Sequence, residues 1–542
     1  MASAKQIREL ARSALGIERL RPGQLEAVEA VAAGRDTLAV MATGYGKSAI
    51  YQLAGELVDG PTIVVSPLIA LQRDQVEAME EQLPPGEAAE LNSTIPAKRR
   101  RELFERLRSG EREFVLLAPE QLAKEEVLTA LREAKPGLLV VDEAHCISEW
   151  GHDFRPEYLR LGAIAERLGE PTRLALTATA SPPVRREIVE RLRMRDPAVF
   201  VRGFDRPNLN LAVRRFSHRP AKERELSAAV VAAEKPGIVY IATRRGAEQL
   251  AEELRGAGVA AEAYHAGLAS HRREQLQDAF MADQVEAIVA TTAFGMGIDK
   301  PNVRFVFHAG ISDSVDSYYQ EVGRAGRDGA PAAAHLFYRP EDEAIRRFLG
   351  AGGGVDAEQL EAVAKAVIAH GDAVDPPALS EELRLSNSRV LEAVDRLEGA
   401  GWLAVRDDGA LARRGDAPPL GEAIAAGAAA SERHREFERS RLEMMRSYAE
   451  TDGCRRDFVL SYFGEEGHQV PCGNCDNCEA GLVTADPHQR PFVVGARVRH
   501  PRWGEGEVQR YDDDRVIVLF ESVGYKTLGL GLVAEHQLLI EA

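Results

Sequence analysis

Short, almost wholly apolar runs, each released into a charged stretch, are what most limit the folds open to this chain. DTLAVMAT (36–43), PTIVVSPL (61–68), EFVLLAPE (113–120), GLLVVDEAH (137–145) and TRLALTATA (172–180) lack the in–out alternation of a half-exposed strand. Strands buried on both faces read this way, and such strands belong to parallel sheets covered by helices. The intervening stretches, KRRRELFERLRSG (98–110) for one, are charged and helical. A doubly wound α/β domain is therefore predicted over 1–205. The same pattern returns in GIVYIATR, AEAYHAGL, EAIVATTAFG, VRFVFHAG and AAAHLFY, which predicts a second, similar domain over 206–345. A cleft between two such domains is the default place for a site.

The remaining third reads differently. LGAGGGVDAEQ (349–359) has the composition of a linker. Three helical patterns and GWLAVRDDGALARR, with Asp408-Gly409 at its turn, follow the order of a winged helix, placed at 355–415. A charged helical stretch and four cysteines fill 430–482. Short runs between Gly- and Asp-rich turns in 490–542 predict a small β-barrel. A length of 542 residues accommodates this many cores. No apolar run approaches the ~18 residues of a membrane span, and the N-terminus MASAKQIREL has no secretory apolar region. A cytoplasmic protein is expected. Its net charge of −17 argues mildly against nucleic acid as a partner, but local basic grooves decide phosphate binding.

The first chemical signal is ATGYGKS (42–48), between a strand and the helical run SAIYQLAGELV. Glycines let successive backbone N–H groups ring a phosphate. Lys47 is the point charge for the β- and γ-phosphates, and the Ser48 hydroxyl is a ligand for Mg²⁺. Position 41 is Met, so the strict eight-residue phosphate-loop pattern is absent while its T-G-x-G-K-S core is kept. The second signal is the acid pair that ends GLLVVDEAH. Asp142 is expected to hold Mg²⁺ and Glu143 to orient or deprotonate the attacking water. The third is YYQEVGRAGRDG (318–329), whose Arg324 and Arg327 supply positive charge for a developing γ-phosphate charge. Together these predict an NTPase that works by Mg²⁺-assisted phosphoryl transfer.

Cys454, Cys472, Cys475 and Cys478 form C-x₁₇-C-x₂-C-x₂-C, a set of four thiolates for one tetrahedral, structural Zn²⁺, with an iron–sulfur cluster as the alternative. Cys146 stands apart and reads as a small buried apolar residue. Arg455 and Arg456 are either DNA-phosphate contacts or simply exposed.

These residues resemble the RecQ group of superfamily 2 DNA helicases. LRPGQ (20–24), MATGYGKS, VSPLIALQRDQ (65–75), DEAH (142–145), LTATA (176–180), YHAGL (264–268), ATTAFGMGIDKPNVR (290–304) and QEVGRAGRDG (320–329) follow that family's order and spacing. The resemblance implies two tandem RecA-like domains, with Arg21 and Gln24 at the adenine and Thr43, Gly44, Gly46, Lys47 and Ser48 around the phosphates. CISEWGHDFRPEY after DEAH resembles the family's aromatic-rich loop. It implies that Trp150 and Phe154 stack on unpaired bases while His152 and Arg155 sense both a phosphate and the ATP site. Ser66 and Thr291 are implied as phosphate contacts, Thr177 and Thr179 as coupling residues, and Asp299 and Arg304 as elements between the domains. CRR and YFGE (454–465) resemble the RecQ zinc module.

Two features depart from the family. The winged-helix-like segment precedes the cysteines, and the usual phenylalanine and proline are Leu20 and Ala42. The tail resembles a Tudor-like domain of other helicases, with Trp503 and Tyr525 as candidate contacts. The expected function is 3′-to-5′ translocation on single-stranded and partial-duplex DNA, with unwinding, in recombination and repair, by a monomer. The alternatives are a DNA-stimulated translocase that does not separate strands, an adaptor that docks RNA polymerase through its barrel, and an RNA helicase.

Overall fold

The computed structural model of the chain describes residues 3–67, 69–80, 87–92, 95–109, 114–122, 124–148, 155–295, 298–350, 354–371, 373–406, 410–465, 470–483, 491–512 and 514–542. It divides into two compact units. The first comprises 1–41, 46–201 and 353–436; the second comprises 42–45, 202–352 and 437–542.

The apolar runs of the first unit form a seven-stranded sheet. Its strands are β1 (Thr37–Met41), β2 (Thr62–Val65), β3 (Ala88–Leu91), β4 (Phe114–Leu117), β5 (Leu138–Val141), β6 (Thr172–Thr177) and β7 (Ala198–Arg202), in the order β3-β4-β2-β5-β6-β1-β7. β1, β2, β4 and β5 are buried along their whole length, as their lack of alternation requires. The pairings β1/β6, β5/β6, β2/β5, β2/β4 and β3/β4 are parallel. Since β6 lies between β1 and β5, the C-terminal ends of all three share one edge. That edge is where an open α/β sheet offers a ligand site.

Residues 353–436 pack into this same unit. Helices Ala357–His370, Pro376–Leu383 and Asn387–Gly399 and the antiparallel hairpin β14 (Leu403–Val405) and β15 (Leu411–Arg413) enclose a core of Leu360, Val363, Leu379, Val390, Leu397 and the fully buried Trp402. The turn at Asp408-Gly409 lies outside the described residues.

The second unit holds a six-stranded sheet. β8 (Leu209–Arg215), β9 (Gly237–Tyr240), β10 (Ala261–Tyr264), β11 (Ala287–Ala290), β12 (Phe305–His308) and β13 (Ala332–Tyr338) run in the order β10-β11-β9-β12-β13-β8. All the pairs are parallel. The tail is a five-stranded antiparallel sheet of β16 (Arg497–His500), β17 (Gly504–Asp512), β18 (Arg515–Phe520), β19 (Gly524–Gly529) and β20 (Ile540–Glu541) around Val498, Val508, Val516, Val518 and Phe520. No helix among the described residues is long and apolar enough to cross a membrane.

Candidate functional site

After β1 the chain turns through Gly46, whose φ of 84° favours glycine, and enters helix Lys47–Gly55. The first N–H groups of that helix are directed out of its N-terminus, as an anion site requires. Lys47 Nζ donates to Met41 O at 2.9 Å, so the ammonium is folded over the end of its own strand. Gln24 Nε2 donates to Gly46 O at 2.9 Å while its Oε1 accepts from Arg21 N at 2.7 Å. The LRPGQ stretch is thereby stitched to the phosphate loop by one side chain.

After β5, Asp142 Oδ1 accepts from Glu143 N at 2.9 Å and Oδ2 from Gln75 Nε2 at 3.2 Å. Glu143 sits in left-handed backbone, φ 48°. Such strain at a non-glycine residue clusters at active sites. Burial, then the neighbouring Glu143 charge, pushes the Asp142 carboxyl up to about 6, against the pull of Lys47. The buried Asp142 carboxylate, crowded by the Glu143 charge, is a donor that suits a divalent cation. The Tyr51 phenol is buried nearby, and its pKa is pushed upward by that burial and by Asp142.

His145 lies beneath the acids. Its Nδ1 is 3.3 Å from Glu143 Oε2 and 2.9 Å from Thr177 Oγ1. Thr177 in turn donates to Thr179 O at 3.0 Å. The acid pair and the LTATA turn are thus joined through one buried imidazole, because β5 and β6 are neighbours. Cys146 is fully buried, as expected.

Trp150, His152 and Phe154 lie outside the described residues. The flanks of that stretch are fixed. Arg155 N donates to Cys146 O at 2.8 Å, and Arg155 Nη1 donates to Pro67 O at 3.0 Å. Ser66 is fully buried, and its carbonyl accepts from Gln72 Nε2 at 2.9 Å. Thr291 is half-buried just past β11, its N–H bonded to Tyr264 O.

In the second unit, helix Val315–Val322 leads into the arginine turn. Arg324 is buried and donates to Gly295 O; Arg327 pairs with Asp299. Burial pulls the Arg327 guanidinium down, and Asp299 opposes this. Thr43 and Gly44 belong to this unit, and a Cβ on Gly44 would stand 3.5 Å from Arg327 Cγ. The turn is braced from below. Arg206 Nη2 donates to Ala325 O and Gly326 O at 2.9 Å each, and Asn208 Nδ2 to Gly326 O at 2.8 Å. Gly326 has φ 57°, and a Cβ there would meet Asn208 Nδ2 at 2.4 Å, so glycine is required. Arg304 is buried on Asp328, at 2.6 Å, and on Pro331 O. Arg206 and Asn208 were missed by sequence reasoning; their signal, DRPNLN (205–210), lacks a motif of its own.

The four cysteine sulfurs all lie within 4.8 Å of one another, which suits a single tetrahedral ion. Arg455 and Arg456 correct the expectation of exposed or DNA-facing cations. They are 1% and 7% exposed. Arg455 Nε pairs with Asp476 at 2.6 Å; Arg456 pairs with Asp205 at 2.9 Å and donates to Leu209 O. Tyr525 is likewise core, 2% exposed, with its ring 5.9 Å from Phe437 and 5.7 Å from Tyr462. Trp503 is half-buried and stacked on His500 at 4.0 Å.

Two RecA-like sheets, a phosphate loop at one strand end, an acid pair at another and a four-cysteine module define the architecture of a nucleotide-binding α/β protein with a cysteine metal module. Comparison with known proteins agrees. Residues 21–187 match the DEAD/DEAH box helicase family, 221–329 the helicase conserved C-terminal domain, 414–479 the RecQ zinc-binding family and 492–534 a family described as of unknown function. The chain is 36% identical to the ATP-dependent DNA helicase RecQ of Pasteurella multocida, over 85% of this chain and 60% of that protein. It is 33% identical to the RecQ of Synechocystis, over 89% of this chain and all of that protein. A crystal structure of the helicase MrfA bound to DNA shares the fold, with a TM-score of 0.53 at 16% identity over 78% of this chain and 60% of that one. The chain belongs to the RecQ helicase family. It spans less than two thirds of the length of the Pasteurella relative.

Proposed function

We propose that this protein is an ATP-dependent DNA helicase of RecQ type that translocates 3′ to 5′ on single-stranded DNA and unwinds partial duplexes in recombination and repair. The observation that carries the reading is the buried chain from Asp142 and Glu143 through His145 to Thr177 and Thr179. It ties the hydrolytic acids to an adjacent strand end, as a motor must.

In this reading Arg21 and Gln24 hold the adenine, and Thr43, Gly44, Gly46 and Lys47 hold the phosphates. Ser48 and Asp142 would hold Mg²⁺, which when bound offsets phosphate charge and the crowding of the two carboxylates. Glu143 orients the attacking water and takes its proton. Arg324 and Arg327 stabilise the charge that develops on the γ-phosphate, and Asp299 keeps Arg327 extended until nucleotide competes for it. Ser66 and Thr291 contact the tracked strand's phosphates. Trp150 and Phe154 stack on bases, and His152 and Arg155 report occupancy to the acids. Cys454, Cys472, Cys475 and Cys478 would hold Zn²⁺ structurally. The protein acts as a monomer in the cytoplasm. A protein partner of the barrel, RNA polymerase among them, would meet the face bearing Trp503, since Tyr525 is used inside.

The test is unwinding of labelled duplexes carrying 3′ or 5′ single-stranded tails. The expected result is ATP-dependent strand release from the 3′-tailed substrate. Lys47→Ala should abolish turnover while DNA binding persists. ATP turnover on DNA without strand release from either substrate overturns the helicase reading in favour of a translocase.

A further inference from the structure

A second buried chain leaves the DEAH segment in another direction. Ser148, the last described residue before 149–154, is fully buried, and its Oγ donates to Glu187 Oε2 at 2.6 Å. Glu187 lies on helix Pro182–Arg191, one turn before Arg191, and Arg191 Nε is 3.5 Å from Glu187 Oε1. Arg191 Nη1 donates to Asp395 Oδ1 at 2.9 Å. Asp395 belongs to helix Asn387–Gly399 of the winged-helix-like segment. That segment lies between the family matches at 221–329 and 414–479. All four residues sit in the first unit.

The charges are arranged as a bridge. Glu187 and Asp395 are both nine-tenths buried; the Arg191 guanidinium reaches both, and Arg396 Nη1 stands 3.6 Å from the other oxygen of Asp395. Arg191 is held closer to Asp395, at 2.9 Å, than to Glu187, at 3.5 Å, and Glu187 keeps its short bond to Ser148. If Asp395 loses its charge, Arg191 closes on Glu187 and draws that carboxylate away from Ser148. Helix Asn387–Gly399 also packs on the turn Pro156–Arg160. That turn follows directly on Arg155, so the winged-helix-like segment packs on the flank after 149–154 and reaches Ser148, on the other flank, through Arg191 and Glu187.

We propose that Asp395 is a positioning residue: through Arg191 and Glu187 it sets Ser148, and so lets the winged-helix-like segment tune how strongly DNA accelerates ATP hydrolysis. The inference rests on the DNA-dependent motor reading above. The face of helix Asn387–Gly399 that carries Asp395 is spent on this contact rather than on a DNA groove.

The test uses the full chain with its zinc and measures ATP turnover with and without a single-stranded oligonucleotide. Asp395→Asn should lower the ratio of stimulated to basal rate by about fivefold or more, the size of a typical coupling, with basal rate and KM for ATP unchanged. Asp395→Glu should restore the ratio. Glu187→Gln, nearly isosteric, should lower it too and covers the case in which Asp395→Asn fails to fold. An unchanged ratio in the folded variants, or a parallel fall of basal and stimulated rates, overturns the proposal. A wild-type chain whose ATP turnover ignores DNA overturns the motor reading instead.

Discussion

Asp142 shows how one buried carboxylate couples the nucleotide site to stability. Its folded pKa, about 6, lies above the ordinary carboxylate value, first through burial and then through Glu143. A group raised in this way favours the fold while it is protonated. That contribution is whole below the unfolded pKa, near 4, and is lost as pH rises through 6. Without divalent cation, Asp142→Asn should therefore be more stable than wild type at pH 7.5, by about 2–3 kcal/mol. The gain should vanish near pH 4, as thermal unfolding at the two pH values would check. Saturating Mg²⁺ should narrow the gap at pH 7.5, because the cation binds the ionised wild-type site. Because the cation favours the ionised carboxylate, hydrolysis should fall only at a pH below the metal-free value, and should fall at a lower pH as Mg²⁺ is raised.

Among the elements, the zinc module illustrates what spacing reveals and what it hides. The four-cysteine cluster was legible because ligand spacing is a local property of the chain. The burial of Arg455 and Arg456 was not, because their partners lie across the fold. Asp205 and Leu209 precede them by some 250 residues. β3, β7 and β8 were not singled out from their sequences either; β8 alternates buried and half-buried residues, so it carries the signal of an edge. The module covers that edge. Val213 N donates to Asp476 Oδ2 at 2.8 Å, Leu211 bridges Cys475, and Asn474 Nδ2 donates to Pro207 O. An uncovered edge strand is a liability, so the ion's task is to hold a loop that finishes a sheet. Elemental analysis should find about one zinc per chain. Chelation should speed amide hydrogen exchange at Leu211 and Val213 far more than in β9, which is flanked by β11 and β12. Equal rates in the two strands, with zinc removed, would show that the edge is closed without the ion.

At the scale of the whole chain, the five segments read from the sequence gather into two compact units, and the small barrel is part of the second one. Its attachment is specific. Arg510 lies 3.7 Å over the Phe458 ring, Tyr525 N donates to Ser440 Oγ at 3.1 Å, and Gly524 leaves no room for a Cβ beside that hydroxyl. Tyr525 then packs on Tyr462, whose hydroxyl bonds Asp316, and Arg441 reaches Asp316 and Ser314. Asp316 and Ser314 open the helix Val315–Val322, which ends at the arginine turn. One side chain, Tyr462, thus links the barrel's Tyr525 to Asp316 at the start of that helix. Tyr525→Ala should cost about 3–5 kcal/mol, the usual range for a large buried aromatic. The loss should appear as faster hydrogen exchange at Tyr318 and Tyr319 as well as in β18 and β19. A barrel that merely hung from the chain would lose its own protection and leave Tyr318 and Tyr319 as slow as before. The exchange pattern of this single variant therefore separates a barrel built into the second unit from a tethered docking module.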